Sequence, residues 1–297
     1  MRGKTVGFVG LGAMGGPMAK NVLAAGLPMV VYDIDRAKNA QFAALGAEVG
    51  DGPADVARRA HVLISMVDTT EQAEEVIIGA GGFIEGAKAG DVVVSMGTID
   101  PKVLHRIHRA LADAGVEIID APVTGMIAGA ESGTLKAYVG GATLALEIAR
   151  PALAAMASEI RHIGALGQGI IIKLVNNLLA QAGRVLVVEA MVLGTKAGID
   201  PQTIIDVVTS TSGNSVVFQN SAPRMLSRDF TGIRMDITIK DLELETQLAK
   251  SLGVPLFMAA VAHQVYLMGK AAGLGSEDPT AIVKIYERLT GISLASP

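Results

Sequence analysis

Thr5-Val6-Gly7-Phe8-Val9-Gly10-Leu11-Gly12-Ala13-Met14-Gly15 decides how the first half of this chain folds. Five strand-like residues run directly into a Gly-x-Gly-x-x-Gly turn. A helical segment follows from about Pro17 to Ala25, Gly26 suits its C-cap, and Met29-Val30-Val31-Tyr32 reads as the next strand, closed by Asp33. Each glycine has its own physical task. Gly10 makes the tight turn, Gly12 lets another group approach the backbone, and Gly15 lets helix pack close on strand. The free N–H groups and dipole at the start of that helix favour a bound anion.

Strand, glycine turn, helix, second strand and terminal acid in this order point to a dinucleotide site. Gly10, Leu11, Gly12, Ala13, Met14 and Gly15 are expected against the pyrophosphate, and the Asp33 carboxylate against a ribose 2′-hydroxyl. That carboxylate would repel a 2′-phosphate, which favours NAD over NADP; Arg36 nearby partly offsets it. Further strands are expected at Val62–Val67, Val92–Met96, Ile118–Val123 and Ala137–Val139. The fully apolar runs suit a mostly parallel sheet covered on both faces, hence a doubly wound α/β Rossmann domain. Ligands bind such sheets at the carboxyl ends of the strands, so Val67, Asp68, Thr98 and the loop from Pro122 onward should line one crevice. Thr98 reads equally as an ordinary strand-end hydroxyl.

A second stretch, Gly167-Gln168-Gly169-Ile170-Ile171-Ile172-Lys173-Leu174-Val175-Asn176-Asn177, places a lysine inside an apolar run. On a helix, spacings of three and four residues put Lys173, Asn176 and Asn177 on one face. Apolar flanks disfavour the charged amine, drawing its pKa toward the range useful for proton transfer. Beyond Lys173 no strand pattern appears. Leu174–Ala197 reads as one long helix stopped by Gly198, with Asp200-Pro201 opening the next. Helical periodicity continues over Thr203–Thr209, Met235–Leu252 and Pro255–Ala272, and a last helix runs from about Asp278-Pro279 to Leu289. The expected division is residues 1–163, a dinucleotide-binding domain, and 164–297, an all-α substrate and dimerisation domain built on the long central helix. Gly164-Ala165-Leu166-Gly167 would be the hinge. The central helix is apolar over more of its circumference than one partner covers, which favours a homodimer or homotetramer.

Composition removes other classes. The formal charge of −4 gives no footprint for nucleic acid. The chain has no cysteine, so neither disulfides nor thiol chemistry arise. The mean hydropathy of +0.44 is high. Yet Ile170–Leu193 is broken by Lys173, Asn176, Asn177, Arg184 and Glu189, against the roughly 18 uncharged residues of a membrane helix. Lys4 leads straight into strand-like sequence, leaving no room for a secretory signal, and a cytoplasmic location is expected.

Four motifs in this order resemble the β-hydroxyacid dehydrogenase family, which contains 3-hydroxyisobutyrate dehydrogenase, tartronate semialdehyde reductase and their 6-phosphogluconate dehydrogenase relatives. They are Gly7 to Gly15; Asp120-Ala121-Pro122-Val123-Thr124-Gly125; Gly167 through Lys173 to Asn177; and Lys240-Asp241-Leu242. The resemblance implies an oxidoreductase of a small carboxylate substrate with NAD and no metal. In it Lys173 is the general acid/base and Asn177 holds the substrate beside Asn176. Thr124 and Gly125 grip the substrate carboxylate, and Thr98 and Lys240 contact the cofactor. The chain departs from the family where Thr124-Gly125-Met126 replaces the usual Ser-Gly-Gly, which puts bulk into the substrate clamp. Rival readings on the same scaffold are a tartronate or succinic semialdehyde, sulfolactaldehyde or glyoxylate reductase, and an imine reductase, against which Lys173 argues. A non-catalytic dinucleotide-binding module would need no lysine there.

Overall fold

The computed structural model describes residues 5–295. Strands and helices alternate through the first part: β1 (Val6–Val9), α1 (Gly15–Ala24), β2 (Met29–Tyr32), α2 (Arg36–Ala44), β3 (Glu48–Val49), α3 (Pro53–Arg59), β4 (Val62–Ser65), α4 (Thr70–Ile78), β5 (Val92–Ser95), α5 (Pro101–Ala112), β6 (Glu117–Asp120), β7 (Val123–Thr124), α6 (Met126–Ser132), β8 (Leu135–Gly140), α7 (Thr143–Met156) and β9 (Ala157–Gly164). Helices alone follow: α8 (Gln168–Lys196), α9 (Pro201–Thr209), α10 (Val216–Ser227), α11 (Met235–Leu252), α12 (Phe257–Ala271) and α13 (Val283–Thr290), with a short 3₁₀ turn at Pro279–Ile282. Two compact units result, the first ending at Lys173 and the second starting at Leu174.

In the first unit the sheet order is β3-β2-β1-β4-β5-β6-β8-β7, with β9 on β8. Strands β1 to β6 pair in parallel, and the order reverses between β1 and β4. A ligand crevice opens at such a reversal, at the carboxyl ends. The register aligns Tyr32, Val9, Ser65, Ser95 and Asp120 in one row across that end. The residues after each strand therefore leave the sheet along a single edge. All four residues of β1 are buried, Phe8 fully so, as is Val31 of β2. Burying such side chains stabilises the sheet by about 1.5–3 kcal/mol each.

Expected strand Ile118–Val123 is two pieces, β6 and β7, because Pro122 cannot donate to the ladder. Strand β9 and helix α10 have no counterpart in the sequence reading. β9 alternates weakly and carries Glu159, Arg161 and His162, while α10 contains Pro223.

The second unit packs Val188, Met191, Met225, Leu242 and Tyr266 into a core among its helices. Among the described residues one helix, α8, is long and apolar enough to cross a membrane. Its inner face belongs to protein cores, with Ile170 and Leu174 buried at its start and Val188 and Met191 further along.

Candidate active site

Gly10 has φ +97°, and a Cβ there would lie 2.3 Å from the Met66 carbonyl oxygen. Gly15 is tighter, since its Cβ would fall 1.9 Å from the Gly10 oxygen. Gly12 differs in kind, with no atom within 4 Å of the position a Cβ would take. Open space above Gly12, beside a backbone closed by Gly10 and Gly15, is the cradle a pyrophosphate needs. Leu11 is buried, Ala13 exposed and Met14 between them.

Asp33 is 8% exposed at the end of β2. Its Oδ2 accepts from the Leu11 N–H at 2.6 Å and its Oδ1 from the Asp35 N–H at 2.9 Å, with Lys38 Nζ 3.6 Å away. A carboxylate has about four acceptor positions, so capacity for a hydroxyl remains. Asn39 fixes the Asp33 backbone from both sides, at 2.8 and 2.7 Å. A cavity of about 450 Å³ opens here, lined by residues including Asp33, Ile34, Arg36 and Asp51. Its place, next to the glycine turn and walled by two carboxylates, fits the adenosine half of a dinucleotide. Val67 follows β4, and a Cβ on Gly97 would lie 2.7 Å from its carbonyl oxygen. Thr98 is half-buried one residue further on. The first unit thus brings the glycine turn, Asp33, Val67 and Thr98 to one edge of the sheet.

The same edge holds the loop around β7 and the start of α6. Lys173 Nζ donates to Thr124 Oγ1 at 3.3 Å. Gly125 has φ +139° and Met126 φ +60°. Positive φ in a bulky residue is an outlier that costs of order 1–3 kcal/mol. Met126 remains 43% exposed, so core packing does not account for it. The apolar environment of Lys173 is narrower than its sequence suggests. Ile170 and Leu174 are buried, but Ile171, Ile172 and Val175 are exposed, because a helix turns only one face inward.

The second unit assembles the remaining residues around Asp241, which is 6% exposed on α11. Asn177 Nδ2 donates to Asp241 Oδ2 at 2.8 Å, and Lys240 Nζ stands 3.2 Å from Oδ1. Asn176 is exposed, its Nδ2 3.4 Å from Asn177 Oδ1. One turn further along α11, Glu245 is 3% exposed and neither of its oxygens has a partner among the described residues. Burial, aided by the Asp241 charge, pushes its carboxyl up to about 8. Sequence reasoning gave Asp241 no role. Its partner is 64 residues distant, and only the Lys-Asp pair itself drew notice. No group of three or more metal-ligating side chains occurs among the described residues.

The arrangement is that of a dinucleotide-dependent oxidoreductase. Residues 5–164 match the family model for the NAD binding domain of 6-phosphogluconate dehydrogenase, and residues 167–286 the model described as NAD-binding of NADP-dependent 3-hydroxyisobutyrate dehydrogenase. The 2-(hydroxymethyl)glutarate dehydrogenase of Eubacterium barkeri is 36% identical, covering 98% of this chain and 97% of its own length. The L-threonate dehydrogenase of Cupriavidus necator is 35% identical, covering 95% and 96%. A crystal structure of 3-hydroxyisobutyrate dehydrogenase from Salmonella typhimurium superposes with a TM-score of 0.85 at 32% identity, covering 95% and 99%. The chain belongs to the β-hydroxyacid dehydrogenase family, and its activity is NAD(P)-dependent dehydrogenation of a hydroxy acid.

Proposed function

We propose that this enzyme prefers NAD and oxidises a small β-hydroxy acid of the 3-hydroxyisobutyrate kind, with Lys173 as general acid/base. The contact that carries the reading is Lys173 Nζ to Thr124 Oγ1 at 3.3 Å, which sets a proton carrier beside a hydroxyl at the mouth of the cofactor edge. Lys173 takes the substrate hydroxyl proton in oxidation and returns it in reduction. Thr124 and the backbone N–H of Gly125 hold the substrate carboxylate, with Met126 forming an apolar wall beside them. Asn177, assisted by Asn176, orients the substrate, and Asp241 fixes the Asn177 amide. Gly10 to Gly15, Val67, Thr98 and Lys240 hold the dinucleotide, whose nicotinamide supplies or accepts the hydride. The carboxylates of Asp33 and Asp51 lining the cavity disfavour a 2′-phosphate, an effect that Arg36 in the same lining partly offsets.

The functional division falls at Gly164–Gly167, leaving a cofactor domain of 1–163 and a substrate and dimerisation domain of 164–297, of which residues 1–4 and 296–297 lie outside those described. Leu179, Leu186 and Leu193 on α8 are 71%, 53% and 73% exposed. Their seven-residue spacing makes a single apolar stripe, which suits a second copy of this chain in a cytoplasmic homodimer or homotetramer.

Nicotinamide absorbance over a panel of 3-hydroxyisobutyrate, glycerate, L-serine, L-threonate and 2-(hydroxymethyl)glutarate, each with NAD and NADP, tests the reading. Turnover of at least one acid with NAD ahead of NADP is expected. Reduction of glyoxylate or succinic semialdehyde by NADPH, with no acid on the panel oxidised, would sink it.

A further inference from the structure

Asp120 is fully buried at the end of β6, yet nothing in the chemistry above uses it. Its Oδ1 accepts from the Gly167 N–H and its Oδ2 from the Ile170 N–H, each at 2.7 Å. These are donors at the start of α8, which no serine, threonine or aspartate precedes. The cap arrives instead from 47 and 50 residues away. Burial holds the carboxyl pKa above the ordinary carboxylate value, and these backbone N–H groups only partly oppose it.

The contact is built for close approach. A Cβ on Gly140 would lie 2.4 Å from Asp120 Oδ1 and 2.9 Å from the Gly169 nitrogen. One on Gly169 would lie 2.3 Å from the Tyr138 carbonyl oxygen and 2.7 Å from Asp120 Oδ2. Two glycines therefore let the first turn of α8 rest directly on the β8 backbone, and the carboxylate ties it there. Both ends of the Lys173–Thr124 contact hang from this tie. Thr124 is four residues beyond Asp120 along the chain, and Lys173 is three residues beyond Ile170 along the helix.

We propose that Asp120 is the positioning residue for Lys173: by anchoring the first turn of α8 to the end of β6, it sets the distance between the Lys173 amine and the Thr124 clamp. The proposal rests on Lys173 being the acid/base. Misplacing a reacting group by about 1 Å can cost on the order of 10²-fold in rate, so a residue outside the substrate pocket can govern turnover.

The test is a double-mutant cycle on the full-length enzyme, with NAD and the best-turned-over acid of the panel. Lys173→Ala is measured first; if it is as active as the wild type, the acid/base reading fails by itself. Asp120→Asn keeps the shape but turns one acceptor into an N–H₂ facing a backbone donor. It is expected to lower kcat about 10- to 100-fold while NADH affinity, read by fluorescence, stays within about twofold of the wild type. In the Lys173→Ala background the same change should alter kcat by less than about twofold, because residues acting as a unit are not additive. An equal loss in both backgrounds overturns the proposal, as does a wild-type kcat for Asp120→Asn. Should Asp120→Asn fail to fold, the smaller Asp120→Ser removes the charge without crowding the helix start and goes through the same cycle, with the same outcomes deciding.

Discussion

Two pairs of buried carboxylates, Asp33 and Asp120 in the sheet unit and Asp241 and Glu245 in the helical unit, are treated differently. In the sheet unit, Asp33 and Asp120 both accept backbone N–H bonds at 2.6–2.9 Å from segments elsewhere in the fold or the adjoining turn. In the helical unit, Asp241 is divided between Asn177 and Lys240, and Glu245 has no hydrogen-bond partner among the described residues, while Asp278 is matched, accepting from the Thr280 N–H at 2.9 Å and from Arg224 Nη1 at 3.0 Å. Apolar groups follow the same division. Among the described residues, fourteen exposed large hydrophobics fall in the helical unit and seven in the sheet unit. A parallel sheet ends in a row of backbone groups that can be matched internally, and loops saturate it. Helices satisfy their own backbones, so what remains at their faces is side chains, and on these the proposed substrate and second-copy contacts rest.

The difference is sharpest at Lys173, which hangs from the saturated side. Lys173→Ala is expected to retain NADH binding and to lose about 10²–10⁴-fold in kcat, the usual worth of general acid–base catalysis; steady-state kinetics with near-normal turnover would break the assignment. A smaller effect is expected on the helical side. Leu186→Glu, in the middle of the exposed stripe, should weaken self-association at least about tenfold, since a charge against an apolar partner is costly. Sedimentation velocity checks this, and a wild-type enzyme that sediments as a monomer at micromolar concentration removes the second copy.

The smallest effect concerns Glu245. Its folded pKa, pushed up to about 8, lies above the ordinary carboxyl value of 4.5. The folded state therefore holds a proton that the unfolded state has released, and stability falls as pH rises from about 4.5 to about 8, levelling beyond. Glu245→Gln removes this dependence. Thermal unfolding should show the variant more stable than wild type at pH 8.5, with the gap closing toward pH 5. Parallel melting curves at both pH values would mean that Glu245 is not held neutral.

What could be read from the sequence divides along the range of the interactions involved. The β1 turn, α1, β2 and Asp33 are local, each residue announcing its neighbour, and the parallel sheet followed from apolar runs alone. The long central helix was equally plain from its uninterrupted periodicity. Strand β9 was not, because it pairs on one side only and its charges read as loop. Helix α10 hid behind Pro223, which sits about two turns inside a helix started by the Ser215 cap. The site shows the same limit. Lys173, Asn177 and Thr124 lie in recognisable motifs, but Asn177 to Asp241 and Asp120 to Gly167 join segments 64 and 47 residues apart. No period or spacing encodes such pairs.

Met126 has one further consequence. A side chain held at φ +60° where glycine would sit at ease is a standing debit against the robustness of the fold. It is also, with Thr124, one of two positions at which this loop departs from the family pattern it resembles. With Met126 in the wall of the proposed substrate clamp, activity and durability pull in opposite directions at a single position. Under selection for heat resistance alone, drift at residue 126 would run toward glycine or asparagine. Persistence of the methionine would then record which hydroxy acid the lineage has had to recognise.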